Sequence, residues 1–282
     1  MQFGAGLPLT AGNDPVFIRD FAQALDDAGF DYLTTAGHIL SAEAGRYADR
    51  PTPTYAGPFH DPFVLFGYLA ACTKRLRFRP NILILPLFPT ALAAKQAAEV
   101  QMLSGGRFEL GVGLSWSPDE YAALGQDFST RGARLAEQVQ VLRKLWSEPF
   151  VTFKGRWHDI QGLGLNRLPA QPIPIWFGAS AAEPALRRAA RLGDGFVPLG
   201  DPAESFGRVR GFLAEYGRNA SSFGFQARVL VGPGGPEAWH AAVREAQEMG
   251  ATHTTIGAPP DLPPNQALAR IVEARQALAG AS

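Results

Sequence analysis

The stretch LRFRPNILILPLFPTALAAKQAAEVQMLSGGRFELGVG, residues 76–113, decides how the chain is read. Leu76 to Leu85 reads as a strand, and Ile82, Leu83, Ile84 and Leu85 form the continuous apolar run of a strand buried on both faces. Ala91 to Leu103 carries a helical pattern. Ser104-Gly105-Gly106-Arg107 follows, with glycines suited to the left-handed turn that ends a helix, and Phe108 to Val112 opens the next strand. Outward from this unit the alternation continues in both directions. Further strands are expected at Gln2 to Leu7, Asp31 to Thr35, Ile173 to Phe177, Gly195 to Leu199, Gln226 to Val231 and Thr252 to Ile256. Helical patterns occupy Val16 to Ala28, Pro62 to Thr73, Gly132 to Trp146, Pro184 to Leu192, Ala203 to Tyr216, Glu237 to Met249 and Asn265 to Leu278; in one of them Leu135, Val139, Leu142 and Trp146 share a face.

Eight strands, each followed by a helix, match an α/β chain folded as a closed (β/α)8 TIM barrel, with residues 1–282 as a single domain. Two insertions are long: residues 41–61 after strand 2, on the catalytic face of such a barrel, and residues 148–172 before strand 5, including the hairpin-like Val151 to Ile160. Loops of this length in a compact domain are usually lids or binding loops.

Composition narrows the function. Of 282 residues, 46% are hydrophobic and 18% charged, which excludes a disordered chain, and Lys+Arg equals Asp+Glu at 26 each, so the charge footprint of a nucleic-acid binder is missing. Cys72 is the single cysteine, which excludes an intrachain disulfide framework and fits a reducing compartment. The longest apolar stretch, Phe63 to Cys72, is far short of the ~20 residues that span a bilayer. A cytoplasmic protein with a small-molecule substrate, and neither nucleic acid nor membrane as partner, is the expectation.

Candidate chemistry lies at the C-terminal ends of the expected strands. Gly111-Val112-Gly113-Leu114-Ser115-Trp116 leaves strand 4 with glycines that allow a flat ligand close to the backbone, and lacks the third glycine of a dinucleotide fingerprint. Gly178-Ala179-Ser180 leaves strand 5 into a helix, where free amides and a hydroxyl suit a phosphate; equally, Ser180 and Glu183 spell a capping box that would use those groups internally. His38 follows strand 2, a position suited to proton transfer. Asp119 and Glu120 after Ser117-Pro118 read as the acidic first turn of a capped helix. His60, His158, His240 and His253 show no metal-ligand spacing, so no metal is expected.

The chain resembles the luciferase-like monooxygenase superfamily, in its F420-dependent oxidoreductase branch. The matching segments include Asp61-Pro62-Phe63, Ile82 to Pro86, Ala94 to Glu99, Leu103 to Arg107, Gly111-Val112-Gly113, Glu120-Tyr121, Arg131-Gly132, Ile173 to Gly178 and Leu186 to Arg191 leading to Gly193-Asp194-Gly195. They run from the first strand to about the sixth. The resemblance implies a barrel holding a deazaflavin or flavin ring at its strand ends, backed by a bulge at Asn81-Ile82, often with a cis peptide. It implies a phosphate at Gly178-Ala179-Ser180, contacts at Gly111, Gly113 and Ser115, and His38 as proton donor or base.

Two differences from relatives stand out near the ring: Gly37 precedes His38 where many carry an acid, and Ser115 stands where close relatives often have glycine. A third, Trp116, replaces the catalytic glutamate of the sugar-phosphate dehydrogenase branch, which argues against that substrate. The implied activity is hydride transfer between coenzyme F420 and a small organic C=C, C=N or C=O compound. An FMN-dependent monooxygenase using reduced flavin and oxygen, and a non-catalytic flavin-binding barrel, are the other readings. Tyr47, Tyr55, His60 and Trp116 are expected around the substrate; Arg46, Arg50 and Lys154 are candidates for the carboxylates of the F420 tail; relatives are often homodimers.

Overall fold

Strand β1 (Gln2–Gly6) lies between two parallel neighbours, β2 (Tyr32–Gly37) and β10 (His253–Gly257). In the computed structural model, which describes residues 1–8, 12–43, 46 and 59–279, this sheet extends to eight strands that close into a barrel. The other members are β3 (Arg77–Leu83), β4 (Leu110–Val112), β7 (Ile175–Ala179), β8 (Gly195–Pro198) and β9 (Gly224–Leu230), and the order around the barrel is β1-β10-β9-β8-β7-β4-β3-β2. The (β/α)8 architecture expected from the alternation is therefore the one observed. The helices are α1 (Pro15–Asp27), α2 (Pro62–Cys72), α3 (Thr90–Leu103), α5 (Arg131–Ser147), α6 (Glu183–Leu192), α7 (Pro202–Glu215), α8 (Gly235–Glu248) and α9 (Pro264–Leu278), with a short α4 (Pro118–Ala123) between β4 and α5. The chain packs as two compact units, Met1–Arg79 with Phe225–Ser282, and Pro80–Gly224.

In the first unit, β1 carries glycine where it faces Tyr32: a Cβ on Gly4 would fall 2.1 Å from the Tyr32 ring. The Tyr32 hydroxyl meets Thr255 Oγ1 at 3.3 Å, and the fully buried Arg79 guanidinium lies over the ring, 4.6 Å from its centroid, and donates to Gln226. The buried Asp26 carboxylate accepts from the amides of Lys74, Arg75 and Leu76 at 2.6 to 3.1 Å. Three donated hydrogen bonds offset the cost of burying that charge and fix where β3 begins.

In the second unit, β3 ends earlier than its apolar run suggests. The ladder stops at Leu83, and Leu85–Leu87 form a 3₁₀ turn, because Pro86 has no amide to give a neighbouring strand. Gln138 of α5 holds this turn, donating from Nε2 to Leu85 O at 3.1 Å, Phe88 O at 3.2 Å and Thr90 Oγ1 at 3.0 Å. The shared face of α5 is as expected: Leu135, Val139, Leu142 and Trp146 are all buried.

The insertion before β7 contains the hairpin β5 (Val151–Lys154) and β6 (Asp159–Leu163). Its tip is latched by the Glu137 carboxylate, which accepts from the amides of Arg156, Trp157 and His158 at 2.9, 2.8 and 3.0 Å and from His158 Nδ1 at 2.7 Å. His158 Nε2 meets Thr90 Oγ1 at 2.6 Å. Thr90 opens α3 beyond the C-terminal end of β3, so the hairpin tip sits on that side of the second unit. These bonds hold the Glu137 carboxyl below its usual range against the opposing effect of burial.

Candidate active site

Three strand ends of the second unit meet around one side chain. The Asn81–Ile82 peptide is cis, and the Ile82 side chain fills a slot between β4 and β7. A Cβ on Gly113 would lie 2.5 Å from Ile82 Cδ1, and one on Gly178 would lie 2.5 Å from Ile82 Cγ2. Both glycines are thus required by packing inside the protein: they admit Ile82 rather than open space. Gly111 pairs with Trp176 in the ladder and is buried.

Beyond Gly113 the chain makes a strained turn. Ser115 has φ 59°, a left-handed conformation uncommon for a residue with a Cβ. Two neighbours hold it. Ser115 Oγ accepts from the Ser117 amide at 3.2 Å, and the Tyr121 hydroxyl donates to Leu114 O at 2.6 Å. Tyr121 is buried among Ile84 and Leu87, with Ile82 and Phe128 packed against this group, and its ring meets Phe128 edge-on at 5.2 Å. Burial drives the Tyr121 phenol well above its ordinary value, so it remains a donor at any working pH. In sequence Glu120-Tyr121 is a matching segment in which Tyr121 has no assigned role; its apolar surroundings join the distant stretch from Ile82 to Phe88 to nearby Leu124 and Phe128, and the distant part leaves no local signal. Ser117 caps α4 by accepting from the Glu120 amide, with Asp119 and Glu120 in the first turn, as expected. Trp116 is half-buried on the same turn.

From β7 the chain runs through Ala179 to an exposed Ser180 and into α6. The alternative in which Ser180 caps that helix is not what forms. The cap position is Ala182, and no side chain bonds to the first-turn amides, because Pro184 moves the helix start past the spacing a Ser180–Glu183 box needs. Pro184 has no amide, and the amides of Ala185 and Leu186 donate to the Ala182 carbonyl at 2.9 and 3.1 Å, so the donors left for an anion at this end are the Ser180 hydroxyl and the backbone that precedes the helix.

In the first unit, His38 directly follows β2 and is half-buried, its ring 5.0 Å from the ring of Phe59 at a 56° tilt. Gly37 before it is the buried last residue of β2. His60 Nε2 lies 3.2 Å from Gly12 O, which commits one ring nitrogen to the loop before α1. Tyr47, Tyr55 and Arg50 lie outside the described residues. Lys154, one of the cations that the sequence suggested for a cofactor tail, is exposed and paired with Asp159 across the hairpin. Among the described residues no group of three or more His, Cys, Asp or Glu converges as a metal-ligand set, and no helix is long and apolar enough to cross a membrane.

The model of the luciferase-like monooxygenase family matches residues 1–279. The chain belongs to this family. It is accordingly an oxidoreductase. An uncharacterized protein of Mycobacterium tuberculosis is 36% identical over 256 residues, covering 88% of this chain and 86% of its own. An F420-dependent glucose-6-phosphate dehydrogenase of Gordonia bronchialis is 32% identical over 193 residues, covering 65% of this chain and 53% of its own. Among solved structures, an F420-dependent secondary alcohol dehydrogenase in complex with an F420-acetone adduct superposes with a TM-score of 0.79 at 16% identity, covering 98% of each chain, a likeness of fold.

Proposed function

We propose that this family member transfers a hydride between coenzyme F420 and a small organic substrate, reducing a C=C, C=N or C=O bond or catalysing the reverse. The single observation that carries the reading is the strand-end geometry of the second unit: Ile82 locked between Gly113 and Gly178 beside a strained turn at Ser115, with the uncapped start of α6 next in the chain. The donor set fits a tricyclic cofactor with a phosphate. The backbone at Asn81 and Ile82 would buttress the ring, Gly111, Gly113 and Ser115 would line it, and Gly178, Ala179 and Ser180 would receive the phosphate. When bound, F420 supplies a carbon centre that accepts or gives a hydride. The chain's own contribution is to orient ring and substrate and to exclude competing reactions. His38 moves the proton that balances the hydride, and Trp116 and His60, with Tyr47 and Tyr55, shape the substrate space. Support for F420 over FMN comes from the Gordonia relative and from the alcohol dehydrogenase of like fold.

The test is an anaerobic titration of the purified protein with F420 and with FMN, followed by monitoring the deazaflavin absorbance with carbonyl, imine and activated alkene substrates. Micromolar F420 binding with substrate-dependent bleaching or recovery is expected, and His38→Ala should abolish turnover while retaining binding. Tight FMN binding with no F420 binding would refute the F420 reading and favour an FMN-dependent monooxygenase. Turnover unchanged by His38→Ala would remove that residue from the chemistry.

A further inference from the structure

Two consecutive arginines of α6 have opposite surroundings. Arg187 pairs with Glu183 at 2.7 Å and Glu215 at 2.6 Å. Arg188, half-buried, makes no hydrogen bond or ion pair among the described residues. Its guanidinium reaches toward the start of α5, where a Cβ on Gly132 would fall 2.5 Å from Nη2, so a glycine there leaves it room. Side chains on a helix lean toward its N-terminus, and this lean carries Arg188 back toward the beginning of α6.

More cations surround it. Arg131, the first residue of α5, stacks on Phe128 at 3.6 Å and donates to the Phe128 carbonyl at 2.6 Å, while its Nε is buried without a partner. Arg134, one turn along, donates to the neutral Gln126 side chain and also has a buried, unpartnered Nε. Arg191 is exposed one turn beyond Arg188. Among the described residues none of these four pairs with a carboxylate, whereas elsewhere Arg19, Arg75, Arg143, Arg208 and Arg270 each do. Burial, with Arg191 and Arg131 close by, pulls the Arg188 guanidinium below its ordinary value. Arg131 and Arg134 lie in the first turn of α5, where a cation also opposes the helix dipole, whereas Arg191 lies in the last turn of α6, where the dipole favours it. Like charges gathered against the α5 dipole destabilise the free protein, and an anion would reverse the sign of both effects.

The geometry points to a polycarboxylate site formed by Arg188, Arg191, Arg131 and Arg134, which takes the oligoglutamate tail of the cofactor. This inference rests on the F420 reading above. In F420 the glutamates follow the phosphate along one covalent chain. A phosphate at Gly178–Ser180 would therefore lead the tail out past the start of α6, toward which the Arg188 side chain leans from mid-helix, with Arg191 one turn further on in the last turn. The site is separate from Lys154, whose exposed ammonium already pairs with Asp159. It also gives the chain a means of telling F420 from FMN, since the two share a ring and a phosphate but differ in these carboxylates.

The experiment compares wild type, Arg188→Gln and Arg191→Gln by fluorescence titration with three chromophores: F420, FMN, and the deazaflavin lacking phosphate and tail. Loss of one charge-assisted contact should weaken F420 about 10-fold in each variant while leaving FMN and the truncated deazaflavin within twofold. Arg191 is exposed, so its variant reports even where Arg188→Gln folds poorly. Equal weakening of F420 and FMN would overturn the assignment, because the arginines would then serve the phosphate. Unchanged F420 affinity in both variants would overturn it as well. If wild type binds FMN and not F420, the cofactor reading has failed, and the arginines are judged on γ-linked triglutamate alone. A rise in the wild-type melting midpoint with this probe, absent in both variants, supports the site; no rise overturns it.

Discussion

Replacing Gly178 with alanine tests the packing on which the candidate site depends. The three atoms nearest the new Cβ all belong to Ile82: Cγ2 at 2.5 Å, and Cβ and Cγ1 at 3.6 Å. Carbon atoms in contact normally sit ~3.5–4.0 Å apart, so Ile82 must retreat by about 1 Å. Overpacking of this kind costs roughly 1–3 kcal/mol. The clash is attributable to one methyl group, which makes a double-mutant cycle clean. In an Ile82→Ala background the offending Cγ2 is gone, and the nearest remaining atom is the Cβ at 3.6 Å, an ordinary contact. Gly178→Ala should then be neutral, or stabilising by about 0.4–1 kcal/mol through the unfolded chain. Equilibrium urea unfolding followed by circular dichroism on the four proteins gives the coupling, expected at about 1 kcal/mol or more in favour of the double variant. Additive costs, within about 0.5 kcal/mol, would mean that Ile82 is not what Gly178 accommodates. A rigid ring buttress at Ile82 would then have no packing to hold it.

Stability should also depend on pH through His253, whose pKa is lowered to about 3 first by burial and then by Arg79, Arg77 and the N-terminus. Between that value and about 6.5 the unfolded chain binds more protons than the folded one, so this contribution is complete above pH 6.5 and is lost as the pH falls toward 3. From pH 8 to pH 5 the loss should be about 2 kcal/mol; a His253→Gln protein that keeps the same pH slope in urea titrations would refute the assignment. Tyr121→Phe keeps the packing but leaves the Leu114 carbonyl without its donor, which should cost about 1–2 kcal/mol. A change in urea midpoint too small to resolve would show that the hydroxyl does not hold the Ser115 turn.

The sequence showed the strand–helix alternation because the strands are short and several helices begin with a clear signal, as at Asp14-Pro15, Asp61-Pro62 and Asp201-Pro202, where an aspartate caps and a proline follows. Boundaries failed where two signals competed. The run Ile82 to Leu85 is apolar throughout, but Pro86 ends the ladder at Leu83. Ser180 and Glu183 have the spacing of a capping box, but Pro184 sets the start of α6. The glycines at 113 and 178 were legible as close-approach positions; that Ile82 is what approaches them depends on three strands coming together. Glu183, four residues before Arg187 on the same helix, marks that arginine as paired, while Arg188 has Pro184 and Leu192 at the same spacing; the second partner of Arg187, Glu215 of α7, left no local signal.

The Glu137 latch has a practical corollary for handling this chain. One carboxylate counts off three successive amides, so a residue inserted between Gly155 and His158 would put the count out of step and release the tip from both α5 and α3. The exposed residues 170–172, by contrast, are held by no such tally. A cleavage site, fused tag or new set of termini belongs there, downstream of the hairpin, where cutting the chain leaves the frame around β3 and α3 intact.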